Sequence, residues 1–211
     1  MTPKAVYWDM DGTLIDSEPL HDESLSMALR SLGIEPPPDL HERVLGVAAV
    51  PVYEMMRAEF GLTLPFDAWI ARKYAHYLEE APKLKPRPGA MEIFRDLKAR
   101  GVVQGIVSNS DRLVVDANMR ALGLHEAGMR TITRNDVRNG KPDPEPYLRA
   151  AWLTGIDPAQ SAVMEDSWPG ACSGIAAGMP TVYWPERPQE GPPGALVAQS
   201  ADDVRAFLGL S

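Results

Sequence analysis

Asp9 and Asp11 stand two residues apart, directly after a short apolar run and directly before Gly12. Carboxylates at i and i+2 across such a boundary can point into one crevice. With Asp166 they would crowd like charges, which is costly unless protons or a cation compensate. Mg2+ prefers oxygen ligands, commonly one or two carboxylates with waters and a phosphate oxygen. It would relieve the crowding and orient a phosphoryl group. One carboxylate can then attack phosphorus as a nucleophile. Its neighbour can give a proton to the leaving oxygen and later take one from water. Asp-x-Asp-Gly is also the composition of an ordinary solvated turn, so the pair alone leaves both readings open.

Three further stretches carry groups suited to the same chemistry. Ser108 and Asn109 follow the apolar run GIV. A hydroxyl there, with backbone N–H groups at the start of a following helix, can hold a phosphoryl oxygen; the same residues also serve as helix caps. Lys141 lies in Asn139-Gly-Lys-Pro-Asp-Pro-Glu145. A lysine suits phosphate as a compact point charge, although most lysines are solvated surface residues. Glu165 and Asp166 end the run SAVM as candidate metal ligands or as a helix cap. Order and placement favour the chemical reading, because all four stretches fall at strand ends or in loops of one alternating pattern.

That pattern defines the elements. Segment 4–9 reads as a strand buried on both faces of a parallel sheet. Segment 19–33 is helical, with Leu25, Ala28, Leu29 and Leu32 on one face and Gly33 as a stop. Val44 and Leu45 close a short helix before Gly46, and segments 50–61 and 66–80 are two more amphipathic helices. The Pro-rich hinge Pro82–Gly89 ends this helical block. Beyond it, strands at 102–108, 130–133, 161–165, 180–184 and 195–198 alternate with helices at 90–100, 111–122, 144–154, 168–177 and 201–209. Alternation of this kind means crossover units and a parallel sheet. The expected fold is α/β: a Rossmann-like parallel sheet core with helices on both faces (1–15 and 83–211) and an inserted α-helical cap (16–82). Ligands of such sheets sit outside the carboxyl ends of the strands, where Asp9, Ser108, Glu165 and Asp166 fall.

Composition narrows the function classes. The chain has 211 residues, 45% hydrophobic and 24% charged, as expected of a globular protein. A formal charge of −8 argues against nucleic acid as a partner, so a phosphate site must carry its own local cations. No apolar run is long enough to span a bilayer. The single cysteine, Cys172, and a start without a signal-peptide pattern point to a cytoplasmic protein. The expected partner is a small phosphorylated metabolite, with the chain a monomer or weak homodimer.

The combined motifs resemble the haloacid dehalogenase-like hydrolase superfamily over nearly the whole chain. They are Asp9-Met-Asp-Gly-Thr-Leu-Ile-Asp-Ser17, Ser108 in IVSNS, Lys141 in GKPDPEPY, Glu165-Asp-Ser167, and the later GIAAGMPTV. The resemblance implies Mg2+ as cofactor, Asp9 as nucleophile, and Asp11 as general acid/base with its backbone carbonyl on the metal. It implies Asp166 as a metal ligand, with Glu165 beside it as a further ligand or a support. Ser108 and Lys141 would hold the phosphoryl group, with further hydrogen bonds from Thr13. The helical block is similar to the cap of the phosphoglycolate phosphatase and β-phosphoglucomutase branch. The dehalogenases that name the superfamily lack a second aspartate, since expelling halide needs no proton, so Asp11 favours phosphoryl transfer. The implied activity is hydrolysis of a small phosphomonoester, such as a sugar phosphate, through an aspartyl-phosphate on Asp9.

Two other functions share these motifs. A β-phosphoglucomutase-like enzyme would place cap residues such as His21 and Lys73 near its substrate; both also read as ordinary helix-face residues. That group carries an arginine shortly after a cap glycine, whereas Leu45-Gly-Val-Ala-Ala-Val-Pro51 has no cation. A non-catalytic metabolite-binding protein would have lost the nucleophile or the lysine, and neither is lost here.

Overall fold

The computed structural model describes every residue except Met1, Leu45, Gly46, Ala48, Glu126, Ala127 and Ser211. The chain opens with β1 (Ala5–Trp8) and a two-residue strand β2 (Ile15–Asp16), then runs through four helices: α1 (Glu18–Arg30), α2 (Leu40–Val44), α3 (Ala49–Phe60) and α4 (Phe66–Glu80). A second short strand, β3 (Lys85–Pro86), leads into α5 (Ala90–Ala99), β4 (Val103–Val107), α6 (Arg112–Ala121) and β5 (Arg130–Ile132). The rest is α7 (Glu145–Thr154), β6 (Ser161–Glu165), α8 (Trp168–Ala176), β7 (Thr181–Tyr183), β8 (Leu196–Val197) and α9 (Ala201–Leu208). The described residues fall into two compact units, Met1–Asp16 with Lys85–Ser211, and Ser17–Leu84.

The first unit is built on a parallel sheet in the order β5-β4-β1-β6-β7-β8. Every residue of β1 and β6 is buried. Alternation along β1 sends neighbouring side chains to opposite faces. Tyr7 packs in one cluster with Tyr147, Ala150 and Ala151 of α7, and its hydroxyl bonds Thr154 Oγ1 at 2.5 Å. Trp8 faces the other way, with its ring 6.1 Å from Phe94 of α5 and its Nε1 donating to Gln104 at 3.0 Å. Helices therefore cover both faces, which is why these strands read as unbroken apolar runs. Their burial contributes roughly 1.5–3 kcal/mol per large side chain. The fold is the α/β Rossmann-like one that the alternation implies.

The second unit has its own core of Leu25, Leu29, Leu40, Val52, Met56, Leu62 and Trp69. Tyr53 meets Phe66 edge-on at 5.3 Å and Trp69 at 5.5 Å. α1 stops at Arg30, short of the expected end, because the next bonds tighten to three-residue spacing, Leu32 N–H onto the Leu29 carbonyl and Gly33 N–H onto the Arg30 carbonyl, and the chain turns at Gly33 with φ +74°. Of the apolar stretch 45–51, Ala49, Val50 and Pro51 form the first turn of α3. Leu45, Gly46 and Ala48, and with them the expected helix end at Leu45, lie outside the described residues. The antiparallel pair β2–β3, with Ile15 opposite Pro86 and Asp16 opposite Lys85, was not expected from the sequence. Two residues are too few to show a period.

Candidate active site

β1 lies between β4 and β6, so successive strands build outward to β5 on one side and then cross to the other. Open α/β sheets bind ligands at such a switch point, outside the strand carboxyl ends. Register does the assembly. Trp8 pairs with both Ile106 and Met164, which brings Asp9 level with the ends of β4 and β6. Ser108 follows β4, Glu165 ends β6 and Asp166 comes next.

Lys141 reaches this crevice from the loop between β5 and α7. Its backbone N–H donates to Asn109 Oδ1 at 2.8 Å, and Asn109 Nδ2 donates to its carbonyl at 3.1 Å. Asn109 therefore ties the lysine loop to the end of β4. The buried ammonium donates to Asp9 Oδ1 at 2.6 Å, to the Val107 carbonyl at 2.7 Å and to Glu165 Oε1. Glu165 also accepts from Tyr147 OH at 2.7 Å and from Ser167 Oγ at 2.9 Å. Asp166 Oδ1 accepts from Thr13 Oγ1 at 3.0 Å.

The electrostatics follow from burial and charge count. Burial pushes the Asp9 carboxyl well above its usual range; Lys141 pulls it down, while Glu165, Asp166 and Asp11 push it up. Burial would lower the Lys141 ammonium, but Asp9 and Glu165 outweigh that and hold it above the ordinary lysine value. Two buried carboxylates thus share one ammonium, and Asp166 adds a third acid beside them. Asp9, Glu165 and Asp166 can each present an oxygen within 4.8 Å of the others. An all-oxygen, acid-rich donor set fits a hard divalent cation such as Mg2+ better than zinc, which favours histidine and cysteine. The backbone makes room for these acids. A Cβ on Gly12 would lie 2.1 Å from Asp166 Oδ2, and one on Gly170 2.0 Å from Glu165 Oε1.

Asp11 is seated separately from the lysine. Its Oδ2 accepts from Ser110 Oγ at 2.7 Å and Ser108 Oγ at 3.4 Å, and its Oδ1 accepts from Asn118 Nδ2 at 2.9 Å. The structure therefore brings Asp9, Asp11, Thr13, Ser108, Asn109, Lys141, Glu165 and Asp166 to the carboxyl ends of the central strands, with Lys141 bonded to Asp9, Glu165 and Asn109, Thr13 to Asp166, and Asp11 to Ser108. His21 and Lys73 belong to the second unit, on α1 and α4; the His21 ring lies 4.5 Å from that of Tyr77, tilted by 32°.

Four participants were not singled out from the sequence. Tyr147 lies inside the GKPDPEPY stretch but reads as core. Ser110 reads as a cap. Arg87, in the Pro-rich hinge, donates to the Gly12 carbonyl at 2.8 Å and the Trp184 carbonyl at 2.6 Å while lying 3.9 Å over the Trp184 ring. Asn118 does leave a signal: it is an amide on the buried stripe Val114, Val115, Asn118, Met119 of α6.

Residues 3–178 match the family model described as haloacid dehalogenase-like hydrolase. The chain belongs to that family. Among curated relatives of this haloacid dehalogenase-like hydrolase, the N-acetylmuramic acid 6-phosphate phosphatase of Pseudomonas aeruginosa is 32% identical over 86% of this chain and 81% of that protein. The bifunctional riboflavin kinase/FMN phosphatase of Arabidopsis thaliana is 29% identical over 93% of this chain, which spans only 51% of that longer protein. The crystal structure of CbbY from Rhodobacter sphaeroides in complex with phosphate superposes with a TM-score of 0.86, covering 96% of each chain at 21% identity, which speaks to the fold alone. Among the described residues no helix is long and apolar enough to cross a membrane.

Proposed function

We propose that this haloacid dehalogenase-like hydrolase is a Mg2+-dependent phosphatase of small phosphorylated metabolites, sugar phosphates foremost, working through an aspartyl-phosphate on Asp9. What carries the reading is the contact of Lys141 with Asp9 beside the Asp9, Glu165 and Asp166 oxygens. A relative acting on N-acetylmuramic acid 6-phosphate supports the substrate class.

Asp9, Asp166 and the Asp11 backbone carbonyl would hold Mg2+, with Glu165 alongside, and the bound ion would supply charge neutralisation and orientation of the phosphoryl group. The residues do the rest. Lys141 counters the burial that raises Asp9 and, with the Ser108 hydroxyl, holds phosphoryl oxygens against it; Thr13 keeps Asp166 in place and Asn109 keeps the lysine loop in place. An Asp9 oxygen bonds to phosphorus as the bond from phosphorus to the alcohol oxygen breaks, and Asp11 gives that oxygen its proton. Water then attacks phosphorus, Asp11 takes a proton from it, and the bond from Asp9 to phosphorus breaks to release phosphate. The unit Ser17–Leu84 is assigned the role of the helical cap that selects the substrate, with His21 and Lys73 as its substrate-contact candidates.

The test is phosphate release by purified protein with Mg2+ against a panel of phosphorylated metabolites and an aryl phosphate. Release from at least one sugar phosphate, abolished in Asp9→Asn, is expected. Release from none, equal background rates for wild type and Asp9→Asn, or isomerised sugar phosphate with little free phosphate would each overturn the reading.

A further inference from the structure

Asn118 stands out as a buried side-chain amide that the chemistry above does not use. It has no exposure, and it sits on α6 beside Val114, Val115 and Met119, where helical periodicity asks for an apolar residue. A buried amide is costly unless its hydrogen bonds are made. One bond it makes is to Asp11: Nδ2 donates to Oδ1 at 2.9 Å. An amide N–H can only donate, so the carboxylate oxygen it meets is committed as an acceptor. The other oxygen, Oδ2, meets hydroxyls instead, Ser110 at 2.7 Å and Ser108 at 3.4 Å. Hydroxyls can donate or accept, so Oδ2 can carry a proton without losing those partners. Ser108 also lies at the end of β4, beside the strand that ends in Asp9.

We propose that Asn118 is a positioning residue for proton transfer. It pins Asp11 through Oδ1, so that Oδ2 is the oxygen through which the proton moves. The inference rests on the phosphatase reading, in which the Oδ2 proton passes to the alcohol oxygen as the bond from phosphorus to that oxygen breaks. In the second half a proton from the attacking water returns to Oδ2 as the bond from Asp9 to phosphorus breaks. Asn118 itself touches neither substrate nor phosphorus.

Leaving groups that differ in acidity separate this role from simple packing. Phenyl phosphate releases a weakly acidic phenol and depends on the proton; p-nitrophenyl phosphate releases a far better leaving group and depends on it much less. kcat/KM covers only the steps up to release of that alcohol, so it isolates the donation step. The variants are Asn118→Ala and Asn118→Leu, which both remove the donor but leave very different packing. The ratio of kcat/KM for p-nitrophenyl phosphate to that for phenyl phosphate should rise about tenfold in both, part of the usual general-acid contribution. Adding either change to Asp11→Asn should cost no further activity on phenyl phosphate. An unchanged ratio, or losses that add to those of Asp11→Asn, would overturn the proposal. Wild type inactive on both substrates with Mg2+ would instead sink the phosphatase reading beneath it.

Discussion

Replacing Gly12 by alanine tests whether the Asp166 carboxylate is held where the structure puts it. Gly12 adopts φ +75°, a left-handed conformation that costs an L-residue about 1–2 kcal/mol. The added Cβ would also stand 2.1 Å from Asp166 Oδ2 and 2.8 Å from its Cγ, so the carboxylate must turn away. Turning breaks the Thr13 hydrogen bond to Oδ1, 3.0 Å long, at a further cost of about 1–3 kcal/mol for a bond to a charged group. Gly178 supplies the control. It has φ +73° but nothing within 4 Å of its would-be Cβ, so Gly178→Ala meets only the backbone cost. By thermal unfolding, Gly178→Ala should melt about 2–8 °C below wild type with unchanged kcat/KM. Gly12→Ala should melt lower still, lose at least about tenfold in kcat/KM, and require more Mg2+ for half-maximal rate, as displaced ligands do. If the two variants melt together and Gly12→Ala keeps wild-type activity and Mg2+ dependence, the placement of Asp166 as a metal ligand is wrong.

Lys141→Met leaves Asp9 and Glu165 buried without their shared ammonium, so urea denaturation should show a loss of about 3–5 kcal/mol together with loss of phosphate release. The lysine is held above its ordinary value. Its contribution is therefore fully present below that value and lost only at higher pH. In Lys141→Met the Asp9 carboxyl, already raised by burial, also loses the cation that lowers it, so the gap to wild type should widen as pH rises above the ordinary aspartate value, and a gap that closes with rising pH up to about pH 9 would contradict the assignment. Asp136 behaves oppositely. Burial raises its carboxyl, but the hydroxyl and backbone bonds from Thr133, and Arg112, outweigh that and hold it low. Its contribution is present above the ordinary aspartate value and lost as pH falls through the lowered one. Asp136→Asn should be less stable than wild type at neutral pH, with the difference shrinking below about pH 4; a constant difference down to acid pH would refute the bond assignment.

What could be read from the sequence follows from what each residue is required to do. β1 and β6 were legible because burial on both faces demands unbroken apolar residues, and Asp9 and Glu165 mark where that demand stops. Lys141 was legible through the glycine and prolines around it. Tyr147 was not, because a tyrosine that buries its ring and spends its hydroxyl on Glu165 looks like any core aromatic. Asn109 read as a phosphate-binding candidate, yet its amide is engaged with the Lys141 backbone, a pairing between distant segments that no local pattern encodes. Arg87 was hidden for the same reason: its partners are the carbonyls of Gly12, Trp184 and Pro185, and carbonyls carry no sequence identity.

The short ribbon of β2 and β3 reaches beyond the local geometry. Asp16 and Lys85 face each other as paired residues, so the sheet unit departs into the Ser17–Leu84 segment and receives the chain back at a single point. To the sheet unit, everything between is one hairpin loop. The entropy of closing a loop grows only with the logarithm of its length, about 0.6 kcal/mol for each doubling. The catalytic half is therefore nearly indifferent to the size of what is inserted there. Inserts of very different length and sequence can be exchanged at this junction while the acids and the lysine keep their places.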